Sequence, residues 1–471
     1  MSRFPSFLIA ALCCLFCGPL LAETKVPSII GSHMVLQREK VTPVWGWDNA
    51  GQKVTVTFNG QSATTTTDSS GRWQVNLKPM KAGGPLSMSI EGSSRIQLEN
   101  ILVGEVWLCS GQSNMEWTVK ISNNPKEEIA AANYPKIRHI KIPHRPSDKP
   151  ESNVPSQGWK VCSPKTAGDF TAVGYYFGRQ LHKELNVPIG LIGSNWGGTR
   201  IEPWTPPEGF KKVPALKASH ADKLDSFPAK NGNRINHQSP LALYNGMIHP
   251  LLPFSIKGAI WYQGESNNGE GMLYHEKMKA LIHGWREVWN TPDLPFYFVQ
   301  LAPFKYGNAA ALPFIWEAQE KTLSVPHTGM AVTTDISNIR DIHPRNKQDV
   351  GRRLALWALK HDYGRSELVC SGPTLESMKI EGNQARLSFG NIGKGLTTRD
   401  GKAPSHFTIA GEDRKFVEAK ARIDGNQVVV TAEGVSKPVA VRFGWDQLAE
   451  PNFGNREGLP ASPFRTDSWK K

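Results

Sequence analysis

Ser113, in the turn Gly111-Gln112-Ser113-Asn114, and His343, placed just before Pro344, are the side chains best suited to making and breaking an ester. Acyl transfer needs a hydroxyl nucleophile, a base to take its proton, a carboxylate to orient the base, and donors for the oxyanion. Ser113 offers the first and His343 the second. Glycines such as Gly197 and Gly198 let backbone N–H groups approach an oxygen closely, and Gln263 or Asn267 could add a side-chain donor. Each residue also has a plainer reading. A serine between Gly and Asn is commonly a turn residue, and a histidine before proline can simply open a helix. Glu265 can pair with a basic residue to hold its loop or touch substrate, and Arg200 can close a salt bridge in its own loop or contact substrate. Trp117, Trp196, Trp204 and Trp261 could stack on a sugar or pack the core.

What favours chemistry is the order of the clusters along the chain. GQSN follows EVWLC, GSNWGGTRIEPW follows PIGLI, YQGESN follows KGAIW, and DISNIRDIHP follows GMAVTT. Each apolar run is a short buried strand, and the runs alternate with helical text such as YHEKMKALIHGWREVW, the pattern of a parallel sheet. The ends of parallel strands open at one edge, so Ser113, Gly197, Gly198, Gln263, Asn267, Asp341 and His343 can converge there. After His343, apolar positions Val350, Leu354, Trp357 and Ala358 recur at helical spacing up to Gly364.

The α/β text occupies residues 101–365. Before it, residues 23–100 read as a small antiparallel β region, with Val54, Val56 and Phe58 alternating in KVTVTFNG. Residues 366–471 return to short strands, ARLSFG, QVVVTAEG and KPVAVRFGW, leaving open whether the two β regions pack together. The Lys-rich, turn-rich stretch from Pro206 to Ser239 looks like an insertion over the site.

The first 22 residues carry one basic residue, Arg3, and an apolar run broken by Gly18 and Pro19. That run is shorter than the roughly 20 residues of a spanning helix, so it reads as a signal peptide of a secreted or periplasmic protein without stable membrane insertion. Cleavage leaves Cys109, Cys162 and Cys370, which allow one disulfide whose pairing the sequence does not choose. The spacings of a structural zinc site are absent. A net charge of +13 is dispersed rather than clustered, which suits acidic sugars or plain solubility, and export argues against nucleic acid as a partner.

Taken together, GQSNMEW, GGTRIEPW, WYQGESN and DIHPRNKQDVGRRLA, with GLPASPFRTD near the C-terminus, resemble the sialate O-acetylesterase branch of the SGNH hydrolases. The resemblance runs from about Val26 to the C-terminus. It implies a flavodoxin-like three-layer α/β/α domain with flanking β-sandwich-like regions, which removes acetyl esters from sugars with no metal or other cofactor. Carried over residue by residue, Ser113 falls at the nucleophile, His343 at the base and Gly198, ahead of Gly197, at the oxyanion glycine. Two positions depart from the superfamily pattern. Ser266 stands where an Asn donor is usual, which leaves Gln263 or Asn267. Arg340 stands where the orienting Asp is usual, which leaves Asp341, with Asp335 as its rival. A competing expectation is a sugar-binding protein with a retired hydrolase domain, but binding alone does not need a serine backed by a base. The oligomeric state is not legible.

Overall fold

The computed structural model describes residues 23–228 and 234–469. Its centre is a run of six parallel strands in the spatial order Thr328–Ala331, Phe296–Val299, Gly258–Tyr262, Arg95–Gly111, Ile189–Asn195 and Ile137–Lys141. The chain starts at the Arg95–Gly111 strand, passes to Ile137–Lys141 farther out on one side, returns to fill the gap with Ile189–Asn195, then crosses and builds outward on the other side. Its C-terminal end is therefore the switch point of the sheet, where ligands bind in open α/β folds.

Phe296 and Tyr297 are consecutive in a strand and so point to opposite faces. Phe296 packs near Trp285 of helix Met272–Val288, whereas Tyr297 donates to Asp362 at the end of helix Lys347–Asp362 (2.6 Å). Helix Met272–Val288 lies with Ala311–Lys321 on the first face, and Lys347–Asp362 with Ala172–Leu185 on the second. Two covered faces explain why the strands read as unbroken apolar runs. The architecture is the expected three-layer α/β/α domain.

The Arg95–Gly111 strand shows the change of environment within itself. Its first residues alternate between exposed and partly or fully buried and pair with Gly83–Glu91 of the N-terminal β region. From Ile101 onward it is buried throughout and enters the parallel sheet. The boundary expected at residue 100 thus falls inside one continuous strand, and Trp45, Val56 and Trp73 share a single hydrophobic cluster with the α/β core.

Residues 366–469 form their own core around Leu387, Phe407, Phe443 and Phe453, between two four-stranded antiparallel sheets. This region docks on the α/β unit. Arg465 makes a two-pronged bond to Glu317 (2.9 Å each), and Gln447 accepts from the Phe304 amide (3.0 Å). Among the described residues no hydrogen bond or ion pair joins it to residues 23–100.

The disulfide does not form: Cys109, in strand Arg95–Gly111, and Cys162 and Cys370, in irregular segments, are all buried free thiols. The stretch 206–239 does not simply drape over the site. Phe210, Val213 and Leu216 build a small core with Leu241 and with Ala280 of helix Met272–Val288. Among the described residues no helix is long and apolar enough to cross a membrane. The proposed leader, residues 1–22, lies outside them.

Candidate active site

The strand ends at Gly111 in a conformation open to glycine, φ +134°, and a Cβ there would stand 2.2 Å from the Tyr262 carbonyl oxygen. This close approach lets the chain turn sharply into a single helical turn, Ser113–Glu116. Gln112 locks the turn to the next strand: its amide donates to Tyr262 O (2.9 Å), and its Oε1 accepts from the amides of Ser266 (3.2 Å) and Gly264 (3.4 Å). Ser113 is thereby held half-exposed at the switch point of the sheet.

His343 arrives from the other end of the sheet, in the turn between Thr328–Ala331 and helix Lys347–Asp362. Asn346 caps that helix by accepting from Asp349 N–H (3.0 Å), which fixes where the turn ends. His343 Nε2 lies 2.8 Å from Ser113 Oγ, 230 residues away in sequence. Trp117 stacks on the imidazole at 4.8 Å and 16°. Burial lowers the pKa of His343 and nearby Lys347 lowers it further, while Asp341 pulls it up, so the ring is kept neutral and able to accept a proton.

The two candidate carboxylates are in different settings. Asp341 accepts the His343 backbone N–H (2.9 Å) and has Oδ1 3.8 Å from Nδ1 of the same residue. Asp335 is held by both prongs of Arg353 (2.7 and 2.6 Å).

Gly198 is exposed at φ +73°, and among the described residues its N–H has no acceptor. Gly197 packs against the serine, since a Cβ on it would come 3.3 Å from Ser113 Cβ, but its N–H is taken by Glu116 Oε2 (2.7 Å). The amides expected as side-chain donors are engaged elsewhere. Gln263 and Asn267 are both fully buried. Gln263 Nε2 donates to Thr199 O (3.1 Å) and Asn267 Oδ1 (2.8 Å), and Asn267 Nδ2 donates to Glu202 and Glu270 (3.1 Å each). Neither has a hydrogen to spare for an oxyanion. The backbone N–H of Ser113, at the start of its helical turn, has no acceptor among the described residues.

Arg200 is half-buried and bonded to Glu202 (3.0 Å), to Glu270 and to the Ser266 carbonyl (3.1 Å), beside the buried Lys277 that pairs with the same two carboxylates. Glu265 accepts from Asn114 Nδ2 (2.6 Å) beneath the serine turn. Trp204 and Trp261 are core residues, and Trp196 is stacked by His144 (4.2 Å) and His237 (5.1 Å).

Two residues not singled out from the sequence stand in this network. Glu116, inside the quoted GQSNMEW, accepts from Gly197 N–H, Lys141 (2.9 Å) and His144 (2.7 Å). Burial works to raise its pKa, yet the bonds from His144 and Lys141 hold it down at about 2. Its spacing of three from Ser113, on one helical turn, was the available signal. The other is Lys347, buried behind His343. Beyond Lys141 a cleft of about 620 Å³ opens, lined by His139, Pro143, Lys160, Lys165 and Phe170. Among the described residues no group of three or more His, Cys, Asp or Glu is placed to hold a metal ion.

Comparison with known proteins agrees with this architecture. The sequence profile described as "Carbohydrate esterase, sialic acid-specific acetylesterase" matches residues 103–360. Human sialate O-acetylesterase is 35% identical over 485 residues, covering 93% of this chain and 91% of the human protein. The rat sialate O-acetylesterase is 34% identical over 412 residues, covering 75% of this chain and 76% of its own. The crystal structure of a carbohydrate acetylesterase from Xanthomonas citri superposes with a TM-score of 0.87 at 40% identity, covering 95% of this chain and 100% of that one. The chain belongs to the sialic acid-specific acetylesterase family of carbohydrate esterases and is an esterase of carbohydrate acetyl groups.

Proposed function

We propose that this chain is an exported carbohydrate O-acetylesterase that works through an acetyl-enzyme on Ser113. The observation that carries the reading is the 2.8 Å contact between Ser113 Oγ and His343 Nε2. Ser113 attacks the acetyl carbonyl as its proton passes to His343. The tetrahedral intermediate collapses, and His343 returns the proton to the departing sugar oxygen. Water, activated by the same imidazole, then releases acetate. Asp341, with Oδ1 3.8 Å from Nδ1, orients the ring and stabilises its charged form. The oxyanion is received by the N–H groups of Gly198 and Ser113.

The substrates are small O-acetylated sugars, with plant-polysaccharide fragments slightly preferred over sialic acid. The lysine-lined cleft beside Lys141 suits a glycan that carries carboxylates of either origin. The test is a panel of acetylated xylo-oligosaccharides, acetylated sialic acid and butyryl esters, assayed for the acid released, with Ser113→Ala alongside. Acetate release lost in Ser113→Ala is expected. Preference for butyrate, or an unaffected Ser113→Ala, would remove the reading, and preference for sialate would overturn only the polysaccharide preference.

A further inference from the structure

Asn114 is 1% exposed and adjoins the proposed nucleophile, yet the reaction above gives it nothing to do. Its carboxamide is fully committed. Oδ1 accepts from Lys347 Nζ (2.5 Å), and Nδ2 donates to Glu265 Oε1 (2.6 Å) and to the backbone oxygen of Ile342 (2.9 Å). The Ile342 carbonyl can only accept, so the amide nitrogen must face it and Oδ1 must face Lys347. That leaves one orientation. Asn114 follows Ser113 and Ile342 precedes His343, so the Asn114–Ile342 bond is a second tie between the same two turns, beside the Ser113–His343 contact.

The groups gripping Asn114 are a costly way to stabilise a fold. Lys347 is fully buried in the first turn of its helix, where the positive end of the helix dipole disfavours a cation. Burial brings its pKa down to about 7 against the pull of Glu265 and Asp341. Glu265 Oε2 is buried with no partner among the described residues. Buried ionisable groups with an unsatisfied oxygen give little net stability, and these lie beneath both reacting turns.

We infer that Asn114, gripped by Lys347 and Glu265, is a positioning residue that sets the distance and angle between Ser113 and His343. The inference rests on the serine reading above. His343 is faced by Asp341 from its own turn, by Lys347 from the following helix, and by Ser113 and Trp117 from the serine turn. Taking away Lys347 therefore also removes a positive neighbour and raises the imidazole pKa.

The test uses the full chain and its variants Asn114→Ala, Lys347→Met and the double variant, with 4-nitrophenyl acetate for turnover and a fluorophosphonate for serine reactivity. Each single change is expected to lower kcat by about 100-fold with KM little altered, the scale of a misplaced reacting pair. Fluorophosphonate labelling should slow in parallel. The double variant should be no slower than the slower single one, and in Lys347→Met the acid limb of the kcat/KM profile should move to higher pH. A folded Asn114→Ala turning over within about threefold of the parent, or losses that multiply in the double variant, would overturn the inference. Should Asn114→Ala not fold, Lys347→Met and Glu265→Gln decide it, because unchanged kcat and an unmoved acid limb in both would overturn it equally. Failure of the serine reading looks different: Ser113→Ala would keep the parent rate and the parent would resist fluorophosphonate.

Discussion

Two turns flank the serine, one after each neighbouring strand, and they treat their donors in opposite ways. The turn at Trp196–Gly198 reaches the surface, and the Gly198 N–H there has no acceptor among the described residues. The turn at Gln263–Asn267 goes inward, and every amide hydrogen of Gln263 and Asn267 is given to a partner inside the protein. A buried donor must be satisfied for the fold to persist, so it has none left for chemistry. A spare donor has to sit where water can serve it until substrate arrives. Side-chain type indicates that a residue can donate, and its surroundings decide whether the donor is free.

The largest effect should come from the base that both turns serve. His343→Ala is expected to lower kcat by about 10⁴-fold or more while the protein remains folded, measured on an acetyl ester. Next come the carboxylates. Asp341→Asn should lose about 10²- to 10⁴-fold in kcat, since Asn neither charges nor orients the ring in the same way. Asp335→Asn should mainly lower Tm, because it weakens the pairing of Arg353, which is 3% exposed. The reverse pattern would exchange their roles.

The comparison of the turns is sharpened by one change in each. Glu116→Ala frees Gly197 N–H and loosens the surface turn, and kcat should fall by about 100-fold with little change in Tm. Gln263→Leu should do the opposite. It strands the buried Thr199 carbonyl at about 1–3 kcal/mol and removes one of two bonds each from Asn267 Oδ1 and the Tyr274 hydroxyl, lowering Tm while the folded fraction stays active. A large kcat loss at constant Tm in Gln263→Leu would return that amide to the oxyanion site.

The smallest expected effect is on pH dependence. His343 must be neutral to act as a base, and its pKa is lowered from 6.5, so the acid limb of kcat/KM should lie below 6.5. The same shift has a sign for stability. The unfolded chain takes up this proton more readily than the folded one, so the contribution of His343 to stability is lost as pH falls through 6.5 toward the folded value. A limb at or above 6.5 would contradict this environment for the imidazole.

Much of the site was legible because the sheet is covered on both faces. Its strands stand out as apolar runs, and the polar letters that follow them mark its open edge. Ser113, Gly198 and His343 could be read this way although only the fold brings them together. Gln263 and Asn267 lie in such a turn as well, but the sequence does not reveal that Glu202, Glu270 and Thr199 consume their hydrogens. Glu116 and Lys347 were hidden for a related reason. A charged residue near a helix start reads as a solvated face, and only packing shows that one binds a glycine amide and the other is sealed beneath the histidine. The boundary expected at residue 100 falls inside a strand that serves both regions, because the burial pattern changes there while the strand runs on.

The central claim is that acetyl passes through Ser113, and a rapid acid quench during turnover of an acetylated sugar tests it most directly. Mass analysis of the digested protein should find an acetyl group on the peptide carrying Ser113 in the parent and none there in Ser113→Ala, which should also turn over at least about 10⁴-fold more slowly. Undiminished acetate release by Ser113→Ala, with no acetyl on that peptide in the parent, would contradict the account.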